Sequence, residues 1–202
     1  MGDKHIYADD VIGISFKKPT EWFFLLKKDI QKNRKRQILA KGAKELIEDL
    51  DLTDDEFSKL LGEPFCIMTK YNPNDDNTKG QFSPTISVQA TPKNSVLGLW
   101  GNKTFEDVIK SSMKNMTDFL EDFRLIKEFG ESKVSDKKSY EFDTSYTFKH
   151  VDLKEPLTVE MKSIKIETNK LFIDINCHSS VQAKEVCDME LNEFIKSIKI
   201  KN

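Results

Sequence analysis

Residues 140–148 read YEFDTSYTF, in which Tyr140, Phe142, Thr144, Tyr146 and Phe148 alternate with Glu141, Asp143, Ser145 and Thr147. A period of two sends the two sets to opposite faces of an extended strand. Further along, Leu157, Val159 and Met161 alternate again, and Ile164 and Ile166 continue in the other phase. That phase change predicts a β-bulge near Lys162-Ser163. Asn169-Lys170 is a tight-turn signal, after which Leu171, Ile173, Ile175 and Cys177 share a face. Three adjacent strands with short links predict an antiparallel meander. Val186, Leu191, Phe194, Ile195 and Ile198 then predict a closing amphipathic helix.

Upstream, Thr104 is an N-cap with Asp107 at the capping-box position, and the apolar spacing predicts a helix running to Phe123. Phe65 to Tyr71 and Thr85 to Thr91 are strand-like, the second with Ile86, Val88 and Ala90 on one face. The intervening loop at 72–84 is long and polar. Its Asn72, Asn74 and Asp76 match the start of a calcium loop, but Asn77 stands at the glycine position and Ser83 at the bidentate glutamate position, so the match fails. Near the start, Ile12, Ile14 and Phe16 predict a strand over 11–17. Pro19 ends it, because proline cannot donate to a ladder, and Trp22 returns to cap the core.

Residues 27–61 differ in character. Leu39, Ala43, Leu46, Ile47 and Leu50 fall at helical spacing, and Thr53 with Glu56 forms a capping box ahead of Phe57, Leu60 and Leu61. Residues 27–37 carry six Lys or Arg against one Asp, net +5, and residues 45–56 carry seven Asp or Glu and no base, net -7. The basic run Lys27, Lys28, Lys32, Arg34, Lys35, Arg36 is read either as a patch for an acidic partner or as a solvated segment offset by the acidic run. Strands and helices are segregated along the chain, which predicts the α+β class. No repeat or linker divides residues 1–202, so a single domain is expected.

Several short stretches resemble the PsbP-like superfamily. They are GISFKKPTEW (13–22), SPTISVQA (83–90), TFEDVI (104–109), LFIDINC (171–177) and NEFIKSIKI (192–200), in the same order along most of the chain. That superfamily includes the PsbP extrinsic subunit of photosystem II, a Ran-GTPase-binding nuclear import factor and many bacterial proteins. The resemblance implies an antiparallel sheet flanked by helices on both faces, an α/β/α sandwich. The helical, charged insert at about 27–61 departs from it, lying where simpler relatives have a short connection. No functional residues transfer, because the shared motifs are structural and fold alone does not fix function.

Composition sets the remaining bounds. The 202 residues are 38% hydrophobic and 33% charged with 14 Phe, which suits a folded core under a charged surface. A net charge of -2 argues against a dedicated nucleic-acid binder. No run of about 18 apolar residues occurs that would span a membrane. MGDKHIYADD lacks the apolar region of a signal peptide and has Ile6 where a myristoylation motif needs Ser or Thr. The chain as given is therefore expected to be cytoplasmic; the alternative is an exported or lipid-anchored protein whose leader Met1-Gly2 replaces. Cys66, Cys177 and Cys187 are an odd number, which favours a reducing compartment and leaves a Cys177–Cys187 bridge open.

Chemistry has little to hold. Cys177 and His178 are neighbours on a strand and point to opposite faces, His150 is a remote candidate, and His5 is expected in a frayed terminus. No C-x-x-C, H-E-x-x-H or glycine-rich phosphate loop occurs among the 8 glycines and three histidines. No cofactor, metal or catalytic residue is assigned, and the expectation is a non-enzymatic module, adaptor or chaperone-like, that binds another protein. The candidate partner-binding residues are Leu97, Leu99 and Trp100 in an apolar connector, and Lys32, Arg34, Lys35 and Arg36 in the basic run. An envelope ectodomain and a small-ligand binder or enzyme are the alternatives.

Overall fold

A computed structural model describes residues 5–25, 64–78, 80–93, 104–150 and 153–201. In chain order the elements are β1 (Ile6–Asp9), β2 (Ile14–Lys17), β3 (Phe23–Phe24), β4 (Pro64–Thr69), β5 (Thr85–Pro92), α1 (Phe105–Phe119), β6 (Arg124–Val134), β7 (Lys137–Phe148), β8 (Leu157–Glu167), β9 (Leu171–Ser180), α2 (Lys184–Ser197) and β10 (Lys199–Ile200). One sheet has the order β1-β2-β10. The other has the order β3-β4-β5-β9-β8-β7-β6. Every pairing described is antiparallel. Among the described residues the result is an α+β fold built mostly of antiparallel sheet with two α-helices.

The meander follows the alternation. β7 pairs with β8 and β8 with β9 in unbroken register, Phe142 opposite Ser163 and Ser163 opposite Asn176. The predicted bulge at Lys162-Ser163 is therefore absent. The apolar phase of β8 changes because different partners cover it at its two ends. Val159 and Met161 cluster with Tyr146, Met116 and Leu120. Ile164 and Ile166 cluster with Ile173, Ile175, Leu191 and Phe194. Between them Ser163 is fully buried and donates to Asn176 Oδ1 at 2.8 Å, which satisfies its hydroxyl.

The helices start and stop for local reasons. Thr104 accepts from Asp107 N–H while the Asp107 carboxylate accepts from Thr104 N–H, a complete capping box. Phe105 and Ile109 of α1 pack with Tyr140, Phe142 and Phe172. α1 ends at Phe119 rather than Phe123, and the chain reverses through Asp122 at φ 54° into β6. β6 was not legible: RLIKEFGESKV alternates poorly because it is an edge strand, largely exposed, with register shifts between Leu125 and Lys127 and between Lys127 and Gly130. In α2, Cys187, Leu191 and Phe194 form the buried stripe. Val186, expected on that stripe, is exposed, because it lies one position off the Cys187–Leu191–Phe194 face.

The opening segment is a hairpin rather than a single strand over 11–17. The Asp9 carboxylate accepts from the amides of Val11 and Ile12 at 2.9 and 3.0 Å, and Gly13 takes φ +76°. This turn chemistry removes Ile12 from the strand and makes residues 6–9 a strand rather than a frayed end. After β2, Trp22 N–H bonds Pro19 C=O at 3.2 Å, and Trp22 is buried in the core with Ile14, Phe16 and Phe194. Phe16 meets Phe194 edge-on with centroids 5.2 Å apart, a favourable aromatic geometry. Thr168 and Leu171 close the predicted turn at Asn169-Lys170.

Candidate functional site

The first half of α2 lies over the sheet where Glu160 and Lys162 of β8 meet Asp143 of β7 and Cys177 of β9. The cleft left there is lined also by Trp22, Ile86, Lys184, Cys187, Asp188 and Leu191. The register explains the cluster: Asp143 is paired with Lys162, and Lys162 with Cys177, so all three share one sheet face. The cleft is narrow, with about 20 Å³ in which the centre of a water-sized molecule can sit, room for about one water molecule.

Two sets of charged contacts fix α2 above this cleft. Lys70 Nζ pairs with Glu190 at 2.5 and 2.6 Å. Glu190 Oε2 also accepts from Trp22 Nε1 at 3.0 Å, and the Lys70 ammonium stands 5.8 Å from the Trp22 ring. Nearby, Lys184 Nζ lies 2.9 Å from Glu160 Oε2 and 3.1 Å from Asp188 Oδ2. The Glu160 contact is an ion pair without an aligned hydrogen bond. Burial works against the Lys184 charge, but its two carboxylate partners outweigh it and raise its pKa. Asp143 Oδ1 is buried with no hydrogen-bond partner among the described residues.

The thiols are inert by environment. Cys66, Cys177 and Cys187 are all free and buried. Burial pushes the Cys66 thiol up to about 12 and raises those of Cys177 and Cys187 as well. A protonated thiol is neither a good nucleophile nor a good metal ligand. Cys177 belongs to the core under α2. His178 lies on the other sheet face, where its Nδ1 is 3.0 Å from the Tyr146 hydroxyl, so the two neighbours are separated as the strand period requires. Burial, reinforced by the Lys165 charge, lowers the His178 pKa to about 4, and burial raises that of Tyr146 to about 12. His178 is thus neutral at pH 7. His150 is exposed and stacks against Phe148.

The sequence-predicted partner residues Leu97, Leu99, Trp100, Lys32, Arg34, Lys35 and Arg36 lie outside the described residues, as does the insert at 27–61. In the 72–84 loop, two side chains accept turn hydrogen bonds from amides two residues on. Asn72 Oδ1 accepts from Asn74 N–H and Asp75 Oδ1 from Asn77 N–H, both at 3.0 Å. No cluster of three metal-ligating side chains occurs among the described residues. No described helix is long and apolar enough to cross a membrane. The cleft residues Asp143, Glu160, Lys184 and Asp188 were missed. Asp143 and Glu160 read as the solvent side of alternating strands, and their one signal was charge facing a strand position that α2 covers.

The chain superposes on cyanobacterial PsbP from Synechocystis with a TM-score of 0.51 at 12% identity, covering 97% of this chain and 91% of that one. The fold is PsbP-like. The same PsbP-like architecture matches LpqN, a protein involved in cell envelope biogenesis of Mycobacterium tuberculosis, with a TM-score of 0.52 and 15% identity over 100% of this chain and 87% of that one. It also matches PA94, a Pseudomonas aeruginosa protein of unknown function, with a TM-score of 0.50 and 9% identity over 67% of this chain and 82% of that one. No protein-family model matches the chain, and no curated protein matches it. At these identities the PsbP-like likeness is one of fold.

Proposed function

We propose that the chain is a non-enzymatic protein-binding or assembly module whose PsbP-like body is a scaffold for surface recognition. One observation carries the reading. On α2, Val186 and Met189 lie one turn apart and are 49% and 62% exposed, and Val181 just before the helix is 48% exposed. Apolar side chains set among exposed charges on one helix face, here Glu185, Glu193 and Lys196, are the ordinary composition of a protein contact. The narrow cleft and protonated thiols beneath α2 favour a recognition role over a chemical one. The wider architecture we read as an α/β/α sandwich, with α1 and α2 on opposite sheet faces and residues 27–61 as a helical insert. The support is that Phe172 packs with α1 while its neighbour Ile173 packs with the α2 cluster.

A second reading, an envelope protein, is favoured by the likeness to LpqN, which is involved in cell envelope biogenesis. Affinity capture with Val186→Ser/Met189→Ser and Leu99→Ser/Trp100→Ser variants tests the module reading. The expected result is one near-stoichiometric protein partner, lost in at least one variant whose melting temperature matches the parent. Capture that returns no stoichiometric partner, or a partner retained by both variants, overturns it.

A further inference from the structure

Among the described residues β6 is one of the two edge strands of the seven-stranded sheet, and its last five residues are built differently from the rest. Both register shifts in β6 fall before Gly130. Bulges of that kind twist an edge away from new pairing, so Gly130–Val134 is the stretch they leave regular. Its backbone orientation follows from the turn. Ser135 and Asp136 take φ 50° and 61°, a two-residue turn of type I′ with Val134 paired to Lys137. Such a turn bonds Val134 and Lys137 to each other. Alternation along an antiparallel pair then directs Val134, Ser132 and Gly130 toward β7 and leaves the N–H and C=O groups of Glu131 and Lys133 pointing outward.

The side chains on this edge are self-complementary. Glu131 and Lys133 share one sheet face by the period of two, and both are exposed. Lys133 lies directly opposite Lys138 of β7, an unfavourable like-charge pair. Lys138 is drawn off to Glu131 at 3.4 Å and to the Tyr140 ring at 4.9 Å.

We propose that residues 130–134 form an antiparallel edge-to-edge contact with the same residues of a second copy, on a two-fold axis through Ser132. Only a register centred on a residue keeps faces and outward amides matched under a two-fold, and centring on Ser132 sets Glu131 of each copy opposite Lys133 of the other. Each of the two symmetry-related pairs exchanges two backbone hydrogen bonds and one ion pair. The Lys133 charge gains the carboxylate partner that β7 does not place opposite it, and the two sheets become continuous. The contact is far smaller than a standard interface, so the dimer is concentration-dependent. It stands on the strand edge alone and is independent of the partner-binding reading, which concerns α2.

Sedimentation velocity of the full chain across micromolar to millimolar concentration is the test. Glu131→Lys alone and Lys133→Glu alone each convert both ion pairs to repulsions and are expected to weaken the dimer by roughly tenfold or more. The double variant restores opposite charges and is expected to recover the parent dimer. Ser132→Cys gives an independent check: opposed residues in a non-hydrogen-bonded pair lie with Cα atoms about 4.5 Å apart, within disulfide reach, so mild oxidation should link two chains. A parent that stays monomeric throughout overturns the proposal, including the case in which the edge serves another protein's strand. So does a dimer that the double variant fails to recover or that the introduced thiols fail to link. Circular dichroism confirms that each variant is folded.

Discussion

Lowering the pH toward 4 places a proton on an imidazole that the fold holds neutral. His178 has its pKa lowered from 6.5 to about 4, first by burial and then by the Lys165 charge. In the unfolded chain it titrates near 6.5. Above that pH neither state binds the proton, and stability is independent of this group. Between 6.5 and about 4 the unfolded state binds a proton that the folded state refuses, so stability falls as pH falls. Below about 4 both states are protonated and the loss is complete. At about 1.4 kcal/mol per pH unit, the window amounts to about 3 kcal/mol. This is a ceiling, because His178 keeps partial surface exposure. The assay is urea unfolding of the parent and of His178→Gln at intervals from pH 7.5 to 4, a substitution that retains an acceptor for the Tyr146 hydroxyl. Carboxylate titrations are common to both proteins and cancel. The stability difference, parent minus variant, should fall steadily with pH through the window. A flat difference would refute the claim that this imidazole is desolvated in the fold.

Two further outcomes are expected. Phe194 is 1% exposed and meets Phe16 edge-on, so Phe194→Ala should lower the unfolding free energy by about 3–5 kcal/mol, read as a reduced urea midpoint. Asp136 holds φ 61° in the β6–β7 turn, so Asp136→Gly should leave the far-ultraviolet spectrum unchanged and raise stability by about 0.5–1 kcal/mol, the left-handed backbone cost less the entropy cost of glycine; a loss of stability would mean that its side chain contributes more than its backbone costs.

What the sequence disclosed was what local periodicity encodes. β7, β8 and β9 were legible because their apolar residues alternate, α1 because Thr104 and Asp107 announce its start, and Trp22 because a proline ends the strand before it. β6 escaped because an edge strand with two bulges has little to bury and so little pattern to show. The β8 phase change was legible as an event and misread as a bulge, since a sequence shows that the buried face switches but not which neighbour covers each end. The cleft was invisible for a related reason. Asp143 and Glu160 are placed where strands put solvent-facing charge, and only the tertiary position of α2 turns them inward. The partner candidates in the 97–100 connector and the basic run rested on composition, and they lie outside the described residues.

The three-stranded sheet has a consequence for how the chain is made. Its central strand β2 pairs with β10, and the Ser197 hydroxyl accepts the Lys17 amide from 180 residues away. At a synthesis rate of about 5–20 residues per second, roughly 10–40 s separate the emergence of one partner from the other. Through that interval Phe16 and Trp22 are present without the Phe194 and Glu190 that later enclose them. The nascent protein therefore carries an aromatic surface that only the completion of α2 conceals. That interval is when a holdase would find the chain most adhesive, and when a shortage of one would first appear as aggregation.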